Sequence, residues 1–220
     1  MALNVDVREL IRADILSGAF PFGARLRIEE LSARYGLSHT PIREALRELR
    51  GEGLVTIEPN RGARVRIVDI NLVDSLFDLR IAIEAMLTRR AAARISKTQL
   101  EQLDQIELEL EKHAEAGNAH AVLLTNRRFH DLINDAADNP HASEILSRNW
   151  HLLSALWHRY GYPLARVTGV ASDHRHLIRA LAEHDGEAAA MIATAHAAKA
   201  KADLIRIMRS SGALSYGAAE

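Results

Sequence analysis

Residues 36–49 have the sequence GLSHTPIREALREL, which predicts a tight turn followed by an amphipathic helix. Gly36 adopts left-handed backbone conformations without strain, so it suits the turn. Pro41 falls in the first turn of the helix, where its missing N–H costs no hydrogen bond, and the hydroxyl of Ser38 or Thr40 can cap the helix. The apolar residues recur at helical spacing on one side. We therefore expect this helix to pack one side against a core and expose the other.

The segments around this helix predict a winged helix-turn-helix. Apolar residues at helical spacing predict one helix that ends before Gly18 and a second over residues 28–35. Residues 54–57 and 63–67 have the composition of two strands, and residues 58–62 supply the turn between them. The order helix, helix, turn, helix, hairpin is that of a winged helix-turn-helix, to which we assign a domain of residues 1–68.

The charge of the chain is a weak indicator of a nucleic-acid partner, because the net charge is −1. Residues 1–66 contain 11 arginines against 9 acidic residues, and residues 34–66 contain 7 arginines against 4 glutamates. Every basic residue of that second stretch is arginine, whose planar fork suits bidentate contacts with phosphate and guanine. The positive excess is thus concentrated around the predicted helix-turn-helix.

The third predicted helix carries the side chains best suited to contact DNA. Arg43 lies near its beginning and Arg47 one turn later on the same side, away from the apolar residues. We expect Arg43 to bind a guanine through two hydrogen bonds and the helix N-terminus to bind phosphate. The full predicted DNA-binding set is Arg34, Ser38, His39, Thr40, Arg43, Arg47, Asn60, Arg61 and Gly62. An arginine-dotted helix is more often a solvated face, but the preceding turn and the following hairpin favour DNA binding.

The remainder of the chain predicts an all-helical bundle over residues 69–212, so the fold class is mainly α. The predicted helices cover about residues 71–94, 96–117, 119–137, 141–160, 164–184 and 187–209. Ser96 and Gln99 have the spacing of a capping box at the start of the second of these helices. No segment has the pattern of a strand, and residues 213–220 are expected to form a frayed tail.

Composition excludes several classes of protein. The chain has no cysteine, so disulfides, thiolate metal sites and cysteine nucleophiles are excluded. Its apolar stretches are interrupted well before the roughly 18 residues that a membrane span requires. Charged residues interrupt the first 12 positions, which therefore lack the pattern of a secretory signal. We expect a cytoplasmic protein with no membrane partner.

Ten of the 11 histidines follow residue 112, which directs attention to the helical domain. On helical projections His130, His174 and His196 fall on or beside apolar faces of three separate helices, and Asn126 lies one turn before His130. Three neutral imidazoles and an amide oxygen would form a divalent-metal site. Each histidine could instead be a satisfied core residue, since nothing in the spacing requires the three to converge. No aspartate or glutamate is apparent on the inward faces near them.

Residues 5–67 resemble the DNA-binding domain of the GntR family of transcriptional regulators. The resemblance is carried by IEELS at residues 28–32, GLSHTPIREALREL at 36–49, GLV at 53–55 and NRGARV at 60–65. It implies a homodimer on a short inverted-repeat operator, with Arg43 at the position of the base-reading arginine.

Residues from about 72 to 210 resemble the FCD domain, the ligand-binding half of the FadR subfamily of GntR regulators. The resemblance is carried by LR at residues 79–80, Glu84, NRRFH at 126–130, NP at 139–140, DHR at 173–175, AL at 180–181, Asp185, Ala188 and His196. Metal-containing members use an aspartate, a histidine four residues later and two further histidines. The matching positions here hold Asn126, His130, His174 and His196, and this implies zinc, nickel, manganese or iron as cofactor. Asn126 departs from the pattern, and its neutral oxygen should lower the affinity or favour another metal.

A small organic acid is the expected effector. Three histidines and one oxygen leave coordination positions that water or a carboxylate can take, and family members often sense small carboxylates. Arg80 is placed on the inward side of its predicted helix, where it could pair with the same carboxylate. The alternative for Arg80 is a structural pair with Glu84, four residues further on.

These features predict a ligand-responsive transcriptional repressor or activator and not an enzyme. One alternative is a regulator for which the metal ion itself is the signal. Another is a zinc hydrolase, because an open coordination position can activate water. The absence of an apparent general base near the histidines argues against the hydrolase.

Overall fold

The computed structural model describes residues 6–58 and 62–211. The chain forms two compact units, the first from Met1–Asp69 with Ser147–Arg159 and the second from Ile70–Leu146 with Tyr160–Glu220. We call them the winged unit and the helical unit. The predicted tail at residues 213–220, and Asn60 and Arg61 of the predicted DNA-binding set, lie outside the described residues.

The winged unit contains the helices and the hairpin that the sequence predicts. Its elements over residues 6–69 are α1 (Val7–Leu16), β1 (Arg25–Leu26), α2 (Ile28–Tyr35), α3 (His39–Gly51), β2 (Val55–Glu58) and β3 (Gly62–Val65). The strand order is β1-β3-β2, and both pairs are antiparallel. Arg64 of the central strand β3 lies opposite Arg25 of β1 and opposite Thr56 of β2. Strand β1 was not predicted, because a two-residue strand is too short to produce an alternating pattern.

The apolar sides of the helices and strands form the core of the winged unit. Ile11, Ile42, Leu49, Leu54 and Val65 are each fully or almost fully buried. The turn before α3 depends on Gly36, which has φ 68° in the left-handed region and ends α2. Ser38 occupies the N-cap position of α3 as expected, but its side chain makes no capping hydrogen bond, so the expectation of a hydroxyl cap from Ser38 is wrong.

The described part of the second half contains helices and no strand, which confirms the fold class. Its elements are α4 (Ile70–Ala92), α5 (Lys97–Glu115), α6 (Ala119–Ala136), α7 (Pro140–Tyr160), a short 3₁₀ helix (Leu164–Arg166), α8 (Val167–Ala182) and α9 (Gly186–Ser210). The capping box that the sequence predicts is formed: the Ser96 side chain accepts from the Gln99 backbone N–H, and the Gln99 side chain accepts from the Ser96 backbone N–H. Helix α7 contributes its residues 147–159 to the winged unit, a division that periodicity alone does not reveal.

Small residues bring α4 and α9 close together in the helical unit. A Cβ atom on Gly186 would lie 3.0 Å from the carbonyl oxygen of Arg89, so only glycine fits there without a shift. Ala189, Ala193 and Ala197 follow on the buried side of α9. The apolar core beside them includes Phe129 and further residues from five helices, namely Leu87, Leu103, Ile133, Leu146, Leu177 and Leu181.

Within residues 6–58 and 62–211, no helix has both the length and the apolar character needed to cross a membrane.

Candidate nucleic-acid surface and candidate metal centre

Helix α3 exposes the side that the sequence assigns to DNA. Ile42 and Leu49 are buried, whereas His39, Arg43 and Arg47 are exposed. No ion pair joins Arg43 or Arg47 to another described residue, so their guanidinium groups are available to a ligand. The physical requirement for a recognition helix, an anchored apolar side with free donors opposite, is therefore met by the local sequence.

A groove of about 380 Å³ lies between α3, β1 and the hairpin within the winged unit. Arg25, Arg27, Arg43 and Arg47 line it, and Gly62 lies at the hairpin side. Arg27 pairs with Glu30 at 2.8 Å. Arg25 is exposed and was missed by the sequence analysis, because the strand that positions it was not recognised.

The other predicted DNA-contacting residues that the structure describes are exposed, but one of them, Arg34, already has a partner within the protein. Ser38, Thr40 and Gly62 are exposed, as a DNA contact requires. Arg34 is also exposed, but its Nε donates to the Asp14 carboxylate at 2.8 Å. That carboxylate also accepts a hydrogen bond from the Tyr35 hydroxyl at 2.6 Å. Arg34 thus has a structural partner, and its role as a phosphate ligand stays a prediction.

The structure brings His130, His174 and His196 together inside the helical unit, from α6, α8 and α9. One ring nitrogen of each lies within 4.8 Å of the others, and Nε2 of His130 is 3.3 Å from Nε2 of His196. All three side chains are buried. A convergence of three buried imidazoles is what a transition-metal site needs and what isolated core histidines do not require.

Two of the four predicted ligands have a buried atom with no hydrogen-bond partner among the described residues. These atoms are Nε2 of His174 and Oδ1 of Asn126, the residue one helical turn before His130. Buried polar atoms are seldom left unpaired, and those that are indicate an ion, a water or a ligand. The donor set of three imidazole nitrogens and one amide oxygen therefore fits a divalent metal ion.

Two carboxylates contact the histidines, contrary to the expectation that none would be near them. Oε2 of the buried Glu107 lies 2.5 Å from Nδ1 of His174, and Oδ2 of Asp173 lies 3.3 Å from Nδ1 of His196. A signal for Glu107 exists in the sequence, since it falls at helical spacing between the buried Leu103 and Leu110. A charged residue on an apolar stripe indicates a buried polar partner.

Burial keeps two of the imidazoles in the neutral form that binds metals. Burial lowers the pKa of His196 to about 3, against the opposing effect of the hydrogen bond that its Nδ1 makes to the Asp173 carboxylate. It lowers the pKa of His130 well below the ordinary range, and the neighbouring His196 adds to the effect. For Asp173 burial acts upward, but the hydrogen bonds with His196 and Lys199 lower its pKa to about 2.

Arg80 is buried on α4, and its Nε donates to Oε1 of Glu84 at 2.8 Å. The pair with Glu84, the alternative that the sequence left open, is therefore formed. This hydrogen bond uses Nε alone, and no other hydrogen bond joins the guanidinium to a described residue. The positive charge of Arg80 also contributes to the lowered pKa values of His130 and His196, which indicates that it lies near the cluster.

The fold is that of a winged-helix protein with an additional all-helical unit, and comparisons with known proteins agree with it. Residues 3–65 match the family described as "Bacterial regulatory proteins, gntR family", and residues 75–199 match the FCD domain. The chain therefore belongs to the GntR family of bacterial transcriptional regulators and carries an FCD domain. The gntR family match and the similarity to a protein named a transcriptional repressor identify a regulator, which confirms the prediction that the chain is not an enzyme.

Several individual proteins are similar over most of the chain. It is 31% identical over 204 residues to the "Probable D-xylose utilization operon transcriptional repressor" of Paenarthrobacter nicotinovorans, covering 88% of this chain and 84% of that protein. It is 28% identical to the "HTH-type transcriptional repressor RspR" of Escherichia coli, covering 88% and 85% of the two chains. The solved structure of E. coli McbR/YncC superimposes with a TM-score of 0.77 at 22% identity, over 94% of this chain and 98% of that one, which supports the fold.

Proposed function

We propose that this protein is a transcriptional repressor that binds an inverted-repeat operator as a homodimer and responds to a small carboxylate in its FCD domain. It would act in the cytoplasm, where the chromosomal DNA is. The observation that carries the DNA-binding half is the unpaired, exposed arginine side of α3. The observation that supports the sensing half is the buried cluster of three histidines. Repression is favoured because two similar proteins are named repressors.

The DNA-binding step uses the winged unit. Arg43 would bind a base edge, since arginine pairs with guanine through two hydrogen bonds in the major groove. Arg47 and Arg25 line the same groove and would bind phosphates on either side of the base contact. The N-terminus of α3, with Ser38, His39 and Thr40 exposed around it, provides free N–H groups for another phosphate. Asn60, Arg61 and Gly62 of the wing, and Arg34, remain proposed as further contacts.

The sensing step uses four side chains as candidate metal ligands, His130, His174, His196 and Asn126. A divalent ion bound by these residues would act as a Lewis acid that holds a carboxylate oxygen. The largely imidazole donor set favours zinc, nickel or iron(II) over manganese, which prefers oxygen ligands. Arg80 would add a charge-assisted hydrogen bond through the atoms that Glu84 leaves unused.

Ligand response follows if the effector binds one arrangement of the dimer more tightly than the other. A ligand can shift operator affinity only by its differential affinity for the two states. Titration of the protein's own upstream DNA, by fluorescence anisotropy, would be repeated with zinc and with a panel of small organic acids. We expect at least one acid to change the operator affinity at fixed zinc concentration. An operator affinity that no acid or metal alters would contradict the sensing half.

A metal-responsive regulator without an organic effector is the second candidate, and the Arg80–Glu84 pair favours it. The carboxylate of Glu84 offsets the charge of Arg80, which would weaken its attraction for an organic acid and leave the ion itself as the signal. The same titration distinguishes the two candidates. A change in operator affinity with metal alone, and no further change with any acid, would support the metal-responsive regulator.

A further inference from the structure

We propose that Glu107 is a positioning residue for the proposed metal centre, which orients His174 and supplies a buried negative charge that forms no direct ion pair with a lysine or arginine of the described chain. This inference rests on the proposed function, because it assigns a role toward the metal of that site. Glu107 lies on α5, a helix that carries none of the four candidate ligands.

The hydrogen bond between the two residues determines which nitrogen of His174 faces the cluster. Oε2 of Glu107 is 2.5 Å from Nδ1 of His174, and a carboxylate oxygen can only accept a hydrogen bond from a ring N–H. A His174 ring that binds a metal through its other nitrogen would therefore carry its proton on Nδ1. The lone pair is then on Nε2, the buried atom that has no partner among the described residues.

The ring of His174 is also fixed in its plane. Phe129 stacks on it with ring centroids 3.9 Å apart and an angle of 7° between the planes. Stacking prevents the ring from tilting, and the hydrogen bond to Glu107 prevents it from flipping. His174 therefore presents Nε2 in one direction, which is the orienting role that a carboxylate plays behind a ligating histidine.

A comparison with Asp173 shows that Glu107 also contributes a buried negative charge to the cluster. Asp173 contacts His196 in a similar way, but Nζ of Lys199 lies 2.7 Å from its other oxygen and cancels its charge. Among the described residues no lysine or arginine forms a direct ion pair with Glu107, and its Oε1 is buried without a partner. Arg175, which is bound to Glu111, acts on the Glu107 charge only at longer range. A buried carboxylate in this state is costly, and a cation entering the cluster would relieve that cost.

The stability of the metal-free protein distinguishes a role toward the metal from a structural role. A structural residue destabilises the protein when it is changed, whether or not metal is present. If instead Glu107 serves metal binding, Glu107→Gln should leave the thermal unfolding midpoint of the metal-free protein unchanged or raise it. The same substitution should weaken metal binding, because it removes the charge while it keeps the size and an acceptor oxygen.

The test measures zinc affinity of the full chain by competition with a chromophoric chelator. The variants are Glu107→Gln, Glu107→Leu and, as a matched control one turn along α5, Glu111→Gln, whose native carboxylate pairs with Arg175 at the surface. We expect Glu107→Gln and Glu107→Leu to lower the zinc affinity by roughly 10- to 100-fold, the range for loss of an outer-shell partner. Glu111→Gln should bind zinc as the wild type does.

Side-chain nitrogen NMR of the metal-free protein gives a readout that folding defects would not mimic. We expect a protonated Nδ1 at His174 in the wild type and in Glu107→Gln, and loss of that preference in Glu107→Leu. Should Glu107→Leu fail to fold, Glu107→Gln alone still decides the affinity. Unchanged zinc affinity in Glu107→Gln, beside its loss in His174→Ala, would overturn this inference and leave the metal site standing. A wild-type protein that does not bind zinc, nickel or iron(II) would overturn both.

Discussion

The winged unit and the helical unit keep their functional side chains in opposite surroundings. In the winged unit Arg25, Arg43 and Arg47 are exposed and make no ion pair with a described residue. In the helical unit Arg80, Glu84, Glu107 and the three histidines are buried and bonded mainly to one another. Donors held in water suit a large charged partner such as DNA, whose binding releases counterions. Donors held in a core suit an ion or a small molecule, because there they interact more strongly.

The proposed metal centre gives the largest expected effect. His174→Ala removes a buried donor, and we expect its zinc affinity to fall by more than about 100-fold, since a ligand is lost outright and not an outer-shell partner. His176→Ala is the matched control, because His176 lies on the same helix but is exposed. Zinc content after dialysis, measured by elemental analysis, provides the check. Equal zinc in the two variants would mean that the buried cluster is a packed core and not a metal site.

The arginines that line the groove give the next largest effect. We expect Arg47→Ala and Arg25→Ala each to weaken operator binding similarly for all sequences and to reduce the slope of log affinity against log salt by about 1. The charge-matched control is Arg206→Ala, an exposed arginine of α9 that should leave the slope unchanged. Anisotropy titrations at several salt concentrations measure the slope. If Arg206→Ala changed it as much, the effect would be one of net charge and not of the groove.

Acid should destabilise the metal-free helical unit. The pKa of His196 is lowered to about 3 in the folded protein, below the ordinary value of 6.5, so between these values the unfolded chain binds a proton that the folded chain does not. Stability is therefore present above pH 6.5 and is lost as the pH falls toward 3. Between pH 7 and pH 5 one such histidine should cost about 2 kcal/mol.

Urea unfolding with a chelator at pH 7 and pH 5 measures this loss of stability. His196→Asn should reduce the pH dependence, whereas a change at the exposed His176 should not. A pH dependence that is the same in His196→Asn as in the wild type would argue that His196 is already protonated in the fold.

The contact of α4 with α9 gives the smallest expected effect. Gly186→Ala places a Cβ atom 3.0 Å from the Arg89 carbonyl oxygen, and we expect a net loss of about 1 kcal/mol because the backbone must shift. Gly169→Ala on α8 meets no atom within 4 Å and should instead gain up to about 1 kcal/mol from helix propensity. Thermal unfolding compares the two, and a gain in both would show that α9 can move away at little cost.

Sequence reasoning succeeded where the functional residues are contiguous. The turn at Gly36 and the pattern of α3 are local, so the burial of Ile42 and the exposure of Arg43 follow from 3.6-residue periodicity alone. It failed at β1, where a two-residue strand gives no pattern and Arg25 was therefore not recognised as lining the groove. It also failed at the start of α3, where a hydroxyl cap from Ser38 or Thr40 was expected but the N-cap residue Ser38 makes no capping hydrogen bond.

In the helical unit the sequence indicated the candidate metal ligands but did not show that they converge in space. Periodicity placed His130, His174 and His196 on inward faces, but they lie on three helices, and only packing brings their nitrogens within 4.8 Å. Glu107 was missed because it comes from a fourth helix, remote in sequence from the histidine it contacts. The Arg80–Glu84 pair, by contrast, was anticipated, since four-residue spacing on one helix is enough to predict it.

The most direct test of the central claim is operator binding by Arg43→Ala, beside the wild type and Arg206→Ala. The measurement is anisotropy of a labelled inverted-repeat fragment from the protein's own upstream region, with circular dichroism to verify folding. We predict that Arg43→Ala loses roughly 10- to 100-fold in affinity and discriminates less at one base pair, as expected for a lost bidentate contact worth about 1–3 kcal/mol. A folded Arg43→Ala variant that binds the fragment with wild-type affinity and specificity would contradict the assignment of α3 as the DNA-reading helix.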